Sequence, residues 1–209
     1  MKYSGKQIVA MLDKRLEENG RQPLLLHVCC GPCSSGVLEL LAKYFDITLY
    51  YYNPNIYPHE EYKKRGNEIQ KVLAGLQLDT VQVVIEHYNE AEFYQAIKGH
   101  ENDPEGGDRC HICYRLRMQR AVEYAKQHGF SLFTTTLSIS PYKNSEILNE
   151  IGFALAEQYG VEYLYSDFKK NNGYLRSCVL SRQLGIYRQD YCGCVYSYVA
   201  RRKEEGDEK

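Results

Sequence analysis

The sequence predicts an α/β protein built on a parallel sheet, and three observations support that class. Short apolar runs alternate along the chain with longer segments whose apolar residues recur at helical spacing. The first run, Leu24 to Cys30, is almost continuously apolar, which is typical of a strand buried on both faces. It leads through Gly31 and Pro32 directly into a helical pattern, so a strand, a tight loop and a helix follow one another.

The individual elements follow in order along the chain. Apolar residues at helical spacing predict a first helix over 6–18, which Asn19 and Gly20 end. A helix that carries Val37 and Leu41 follows the first strand. Further apolar runs predict strands over 47–52, 81–86, 132–137 and 161–165. Apolar stripes predict the remaining helices over 60–73, 90–98, 114–127, 147–159 and 176–184, with a polar loop over 99–109.

The chain is expected to form one α/β domain over 1–198, followed by a charged flexible tail over 199–209. Its 209 residues are 44% hydrophobic, which is enough to bury a core. The balance of 26 Lys and Arg against 27 Asp and Glu argues against a globally basic nucleic-acid binder. No stretch approaches the roughly 20 apolar residues of a membrane span, and the first residues are too charged for a secretory signal. We therefore expect a cytoplasmic protein that does not use a membrane.

Seven of the eight cysteines fall into three groups. In a chain that is expected to stay in the cytosol, such groups indicate metal ligands or redox centres rather than a framework of disulfides. Cys178 stands alone and is interpreted as a small buried residue. The groups are Cys29, Cys30 and Cys33; Cys110 and Cys113; and Cys192 and Cys194.

Two of these groups indicate a metal centre. Cys29 and Cys30 lie where the first strand ends, and ligands of open α/β sheets bind at the carboxyl ends of the strands. Cys110 and Cys113 lie at the predicted start of a helix, where the helix dipole favours thiolate over thiol. Together these two pairs would supply the four thiolates that a zinc ion or an iron-sulfur cluster requires.

The third group is interpreted as a switchable thiol pair. A disulfide between Cys192 and Cys194 closes a very small and strained ring, which is easily reduced. Gly193 gives the backbone the freedom to close that ring. The alternative interpretation is a pair of ligands for a second metal.

Four ordered motifs resemble the epoxyqueuosine reductases of the QueH type. The resemblance covers about residues 24–198 and involves all three cysteine groups. The motifs are HVCCGPCS over 27–34, RCHICYRLR over 109–117, SISPYKN over 138–144 and YRQDYCGCVYS over 187–197.

The resemblance implies a three-layer Rossmann-like fold of the PP-loop/HUP type with a cysteine-rich metal site. It implies that a [4Fe-4S] cluster is held by Cys29, Cys30, Cys110 and Cys113, and that an additional mononuclear iron lies beside it. It also implies that Cys192 and Cys194 form a redox-active disulfide. The implied reaction is reductive removal of the epoxide oxygen from epoxyqueuosine at the wobble position of tRNA, the last step of queuosine biosynthesis. The implied partners are that tRNA and an external electron donor.

The chemistry of this reaction agrees with the residues present. Conversion of an epoxide to an alkene needs two electrons and two protons, whereas a cluster delivers electrons singly, so a dithiol that stores two is a suitable companion. Tyr142, Asp167, Lys169 and Asp190 are candidate proton donors by their position in or near the motifs.

Contacts with tRNA are expected from basic and aromatic side chains. Four arginines surround the second cysteine group, with further basic residues in the C-terminal third, and these would contact phosphates of the anticodon loop. Tyr51, Tyr52 or Tyr57 would stack on an extruded base. The four arginines are Arg109, Arg115, Arg117 and Arg120.

Two other classes of function remain open from the residues themselves. Cys30-Gly31-Pro32-Cys33 has the spacing of the thioredoxin active site, so a thiol-disulfide oxidoreductase that uses Cys30 and Cys33 is one alternative. A tRNA-binding module whose structural zinc is held by the first two cysteine pairs is the other.

Overall fold

A parallel sheet forms the middle of the molecule. The computed structural model describes residues 3–207, and within them the strands are β1 (Gln22–His27), β2 (Phe45–Tyr51), β3 (Gln82–Ile85), β4 (Leu132–Thr135) and β5 (Glu162–Tyr163). These strands hydrogen-bond in the order β3-β2-β1-β4-β5, and each neighbouring pair is parallel. The predicted α/β class and parallel sheet are therefore confirmed.

Helices cover both faces of the sheet, as a three-layer Rossmann-like fold requires. A short 3-10 helix, Thr136–Ile139, directly follows β4. Within the described residues, none of the helices is both long and apolar enough to cross a bilayer. The helices are α1 (Gly5–Asn19), α2 (Gly31–Leu41), α3 (His59–Gly75), α4 (Glu90–Ala96), α5 (Asp108–Gln127), α6 (Ser145–Tyr159), α7 (Gly173–Gln183) and α8 (Val195–Asp207).

The position of β1 in the middle of the sheet explains why Leu24, Leu25 and Leu26 are all apolar. Leu24 and Leu26 point into the core cluster that also contains residues of α1, α2 and α3. Leu25 points to the opposite face, into the cluster formed with α5 and α6. Successive side chains of a strand alternate between faces, so a strand with a core on each side has no polar face.

The strand order creates a crevice beside β1. After β1 the chain crosses through α2 to β2 on one side, whereas β4 lies on the other side of β1 and leads on to β5. The connections therefore diverge at the carboxyl ends of β1 and β4, which is where ligands bind in open α/β sheets. Cys29 and Thr136 follow these two strand ends, and Cys29 Sγ lies 3.8 Å from Thr136 Oγ1.

Two elements differ from their predicted bounds by more than three residues. Helix α5 begins at Asp108 rather than near residue 114, because Asp108 places a carboxylate in the first turn and favours helix there without an apolar stripe. Both Cys110 and Cys113 therefore lie inside the helix. The charged residues expected as a tail continue α8 as far as Asp207, and ion pairs such as Arg201 with Glu204 at 3.1 Å support that turn. The last two residues of the expected tail lie outside the described residues.

Candidate active site

Cys29, Cys30 and Cys33 form a compact group at the carboxyl end of β1. Their Sγ atoms all lie within 4.8 Å of one another, and those of Cys29 and Cys30 are 3.8 Å apart. Cys30 is the N-cap of α2, and Pro32 lies in the first turn of that helix. Because the chain turns at this point, two neighbouring cysteines contribute their thiols to one site. Three thiols this close together could hold a metal ion.

Gly31 is required by the close packing between α2 and α3. A Cβ atom at this position would lie 2.8 Å from Cβ of Glu68 and 3.0 Å from its carbonyl oxygen, in the body of α3. Any side chain would push the two helices apart and move Cys30 and Cys33 with α2. The glycine of the first motif thus fixes the distance between the cysteine group and the rest of the fold.

The three thiols of this group share their negative charge unequally. Hydrogen bonds from Cys30 and Cys33 lower the pKa of the Cys29 thiol well below its usual range. The same hydrogen bonds raise the pKa of Cys30 and of Cys33, since each donates to the Cys29 sulfur. The group therefore favours a thiolate at Cys29, the form that binds metals.

The other two cysteine groups meet at a small cavity. Cys110, Cys113, Cys192 and Cys194 all line it, together with Arg109 and Tyr114 among others. Cys110 accepts a hydrogen bond from the backbone N–H of Gly106 at 3.3 Å. The structure thus brings the predicted redox pair, from the loop before α8, against the cysteines in the first turns of α5.

Gly193, between the two cysteines of the third group, adopts a backbone conformation that favours glycine. Its φ is +142°, and a Cβ atom there would lie 3.1 Å from Nη1 of Arg65 and 3.3 Å from the side-chain nitrogen of Asn55. The Arg65 guanidinium also donates to the carbonyl oxygen of Cys192 at 3.0 Å. The loop that carries both thiols is therefore held tightly against α3.

A larger cleft of about 510 Å³ opens beside these groups. This volume lies in the range of small-molecule sites. Cys29, Cys33 and Cys192 reach its wall, whereas Cys194 is buried and reaches only the small cavity. Cys192 lines both spaces, so its thiol lies between the open cleft and the cysteines of α5. Other lining side chains are Tyr142, Lys143, Tyr174, Arg188, Gln189 and Asp190.

Lys143 brings a positive charge to this cleft. Although burial disfavours its charged form, electrostatic interactions with the side chains of Cys192, Tyr114, Cys29 and Cys33 hold the pKa of the Lys143 ammonium above its usual range. Gln189 adds a neutral donor, since its Nε2 lies 3.1 Å from Cys30 Sγ. The cleft therefore combines reduced sulfur with groups that can hydrogen-bond an oxygen.

His27, at the end of β1, has a structural role. Its Nε2 lies 3.2 Å from the carbonyl oxygen of Tyr52 and its Nδ1 lies 2.9 Å from Thr135 Oγ1, so the ring connects the ends of β1, β2 and β4. A ring nitrogen that faces a carbonyl must carry the proton, so Nε2 donates and Nδ1 accepts from the threonine hydroxyl. Burial, helped by Arg117, lowers the pKa of His27 to about 4, and the ring is neutral.

The predicted proton donors separate into two places. Tyr142 and Asp190 line the cleft, although the Tyr142 side chain is 84% exposed and Asp190 pairs with Arg202 at 3.2 Å. Asp167 and Lys169 are not among the cleft-lining residues and form an ion pair at 3.3 Å. Lys169 donates to the carbonyl oxygen of Lys143 at 3.1 Å, so this pair holds the loop on which Lys143 lies.

Several predicted tRNA contacts are wrong. Tyr51 and Tyr52 are 0% and 2% exposed, because the end of β2 is covered on both faces, so neither can stack on a base. Arg109 and Arg117 are also buried and cannot reach phosphates.

Tyr57 is half-buried and packs edge to face on Tyr198. Arg115 and Arg120 are exposed, with hydrogen bonds to Gln158 at 3.3 Å and to Glu92 at 2.8 Å.

Two residues of the site were not predicted from the sequence, and one was predicted only as a member of a cysteine group. Cys33 belongs to the first cysteine group but not to the predicted set of cluster ligands, although it lies with Cys29 and Cys30. Lys143 and Gln189 both lie inside the quoted motifs, next to the candidates Tyr142 and Asp190. Their positions in those motifs were the available signal, but only the fold shows that both reach the sulfur atoms.

Comparison with known proteins gives one consistent result. The family model described as Epoxyqueuosine reductase QueH matches residues 24–200, which include all three cysteine groups. An epoxyqueuosine reductase QueH from Streptococcus pyogenes serotype M1 is 42% identical over 184 residues, 87% of this chain and 72% of the relative. The protein of that name from Staphylococcus epidermidis is 37% identical over 202 residues, 94% of this chain and 85% of the relative. The one from Thermotoga maritima is 36% identical over 187 residues, 88% of this chain and 94% of the relative.

Proposed function

The chain belongs to the epoxyqueuosine reductase QueH family, and from this premise we propose that it reduces the epoxide of epoxyqueuosine to queuosine at the wobble position of tRNA. The observation that carries the proposal is the position of Cys192, which lines both the open cleft and the cavity of Cys110 and Cys113. A thiol at this position separates the space for the substrate from the cysteines of α5 and can therefore pass electrons to a bound substrate. The substrate is tRNA, so we assign the protein to the cytoplasm.

The thiol pair supplies the electrons and protons that the reaction needs. Removing the epoxide oxygen as water and forming the alkene consumes two electrons and two protons. Oxidation of Cys192 and Cys194 from dithiol to disulfide releases the same number of each, so epoxide and dithiol give alkene, water and disulfide. An external electron donor then returns the disulfide to the dithiol. The conformation of Gly193 supports closure of this small ring.

The residues present fit a [4Fe-4S] cluster held by Cys29, Cys30, Cys110 and Cys113. These four supply the thiolate ligands that such a cluster requires, from two segments of the chain. Thiols of both segments lie within electrostatic reach of one buried guanidinium, that of Arg117. A buried positive charge suits an anionic centre. When bound, the cluster supplies single electrons.

Cys33 remains outside this set of four, and we propose it as a ligand of the additional mononuclear iron. Its thiol lines the cleft and lies within 4.8 Å of those of Cys29 and Cys30. An iron ion held there would supply a Lewis acid for the oxygen that leaves. This assignment explains why three thiols, rather than two, converge at the end of β1.

The remaining cleft residues bind and orient the substrate. Lys143 lines the cleft together with Cys29, Cys33 and Cys192, and we propose that its ammonium hydrogen-bonds the departing oxygen. Tyr142, exposed at the rim, contacts the nucleoside or a neighbouring base from outside. Asp167 and Lys169 act as positioning residues, through the hydrogen bond from Lys169 to the backbone of Lys143.

The proposal is tested by following the nucleoside. Protein purified without oxygen and chemically reduced is incubated with tRNA that carries epoxyqueuosine, and the digested nucleosides are identified by mass spectrometry. We expect queuosine from the wild type and from Cys178→Ala, which alters a cysteine outside the groups. Cys192→Ser is expected to keep its iron and lose turnover. Unchanged epoxyqueuosine with iron-loaded wild-type protein would contradict the proposal.

A further inference from the structure

Arg117 is a buried cation that lies among the cysteine groups. Its side chain leaves α5 one turn after Cys113 and is 3% exposed. Its Nε donates to the carbonyl oxygen of Cys113 at 3.3 Å, and its Nη1 donates to Asn53 Oδ1 at 3.2 Å. Its Nη2 is buried and has no hydrogen-bond partner within residues 3–207. The positive charge is therefore held in the interior with one nitrogen left unused.

Burial of such a charge is costly unless an anion compensates it. Transfer of an unpaired ion into a protein interior costs several kcal/mol even after relaxation. Arg65 shows the usual solution, because this equally buried guanidinium lies 2.7 Å from the Glu61 carboxylate. For Arg117, no ion pair with a carboxylate is found in the described part of the chain. The compensating anion must come from elsewhere.

The surroundings of Arg117 point to sulfur as that anion. Its guanidinium is bonded to the backbone of Cys113, and the side chains of Cys113, Cys192 and Cys29 interact with it electrostatically, followed by that of Tyr114. These thiols belong to all three cysteine groups. The unused N–H is therefore available to a thiolate, or to a sulfide of a cluster bound between the groups.

We propose that Arg117 is a positioning residue that donates a charge-assisted hydrogen bond to the sulfur atoms of the bound cluster and raises its reduction potential. Reduction adds negative charge to the cluster, and an adjacent fixed positive charge stabilises the reduced form more than the oxidised one. Hydrogen bonds to the sulfur atoms act in the same direction. This inference rests on the cluster assignment made under the proposed function.

The test is a redox titration of the cluster monitored by electron paramagnetic resonance. Arg117→Met removes the charge, and we expect its midpoint potential to move to more negative values than that of the wild type. We also expect a chelator to remove iron from this variant severalfold faster. Arg117→Lys keeps the charge and is expected to retain most of the wild-type potential. Arg120→Met is the matched control, because this exposed side chain on the same helix pairs with Glu92, and its potential should be unchanged.

The outcomes separate this inference from the cluster assignment. If iron-loaded Arg117→Met has the same midpoint potential as the wild type, the role proposed for Arg117 is overturned, but the cluster assignment is not affected. Wild-type protein that binds no iron would overturn both. Should Arg117→Met fail to accumulate as folded protein, Arg117→Gln takes its place, since the neutral amide can still donate to Asn53. We expect the midpoint potential of Arg117→Gln to shift to more negative values as well. A wild-type potential in this variant would likewise overturn the role of Arg117.

Discussion

The ammonium of Lys169 donates to the backbone carbonyl oxygen of Lys143 over 3.1 Å, and this bond connects the ion pair of Lys169 with the buried Asp167 to the cleft. Lys169 also pairs with Asp167 and lies within 3.5 Å of the carbonyl oxygen of Ser138. The loop between β4 and α6 is thereby fixed at both Ser138 and Lys143. The two residues first considered as proton donors are thus placed to support a residue that lines the cleft.

Lys169→Met should therefore lower turnover without removing iron. Loss of a hydrogen bond from a charged donor is worth about 1.5–3 kcal/mol, which corresponds to roughly a tenfold to hundredfold loss if it is felt in the transition state. Turnover at saturating tRNA and iron per chain are the measurements. Lys170→Met is the control, because the Lys170 ammonium lies 3.9 Å from Asp167 and, within residues 3–207, makes no hydrogen bond to the loop. Full turnover in Lys169→Met would show that the loop does not depend on this bond.

Lys143→Met should lower turnover further. A donor aimed at developing negative charge on oxygen contributes about 10²–10³ in kcat. We expect a loss of that size, with Lys143→Arg recovering part of it and both variants binding iron as the wild type does. Single-turnover conversion of epoxyqueuosine tRNA measures the effect. If Lys143→Met converts substrate at the wild-type rate, the departing oxygen is stabilised by another group.

The different exposure of the two thiols of the redox pair predicts which one is attacked. Cys192 reaches the cleft, whereas Cys194 is buried beside the Ser197 hydroxyl, 3.5 Å from its sulfur. A thiolate from a small thiol reductant should therefore attack Cys192 and release Cys194.

Trapping of a mixed disulfide tests this direction. Cys194→Ser, treated with oxidised glutathione, should accumulate glutathione on Cys192, located by peptide mapping that separates it from Cys29 and Cys33 of the same cleft. Cys192→Ser should accumulate little on Cys194 over the same time. Equal labelling of the two variants would mean that both thiols are accessible and that the cleft does not select between them.

Glu61 should contribute strongly to stability because it compensates Arg65. The two side chains are 8% and 2% exposed and pair at 2.7 Å, and Arg65 also holds the carbonyl oxygen of Cys192. Removing one partner of a buried pair costs about 3–5 kcal/mol. Glu61→Gln should lower the free energy of unfolding in urea by roughly that amount, whereas exposed Glu60→Gln should change it little. A loss below about 1 kcal/mol in Glu61→Gln would show that Arg65 is compensated by the carbonyl groups alone.

Much of the fold was predictable because its elements repeat a simple pattern. The apolar run of β1 indicates a strand covered on both faces, and the two core clusters around Leu25 and Leu26 confirm it. The start of α5 and the continuation of α8 were missed, because a first-turn carboxylate and ion pairs stabilise helix without producing an apolar stripe.

The composition of the site was less predictable than its location. Motif position identified the cysteines, but the fold decides that Cys33 joins Cys29 and that Cys192 meets Cys113. Arg117 was expected at the surface, in contact with tRNA. The sequence alone does not show that this basic side chain is buried. Lys143 could be recognised only from the charges and sulfur atoms that converge on it from distant segments.

The most direct test of the account is the iron content and low-temperature spectrum of protein purified without oxygen, wild type beside Ala variants of Cys29, Cys30, Cys110, Cys113 and Cys178. We predict a [4Fe-4S] signal in the wild type and in Cys178→Ala, and its loss in each of the other four. Zinc in place of iron, or an unchanged cluster signal in Cys110→Ala, would contradict the claim that these two segments hold one iron-sulfur centre.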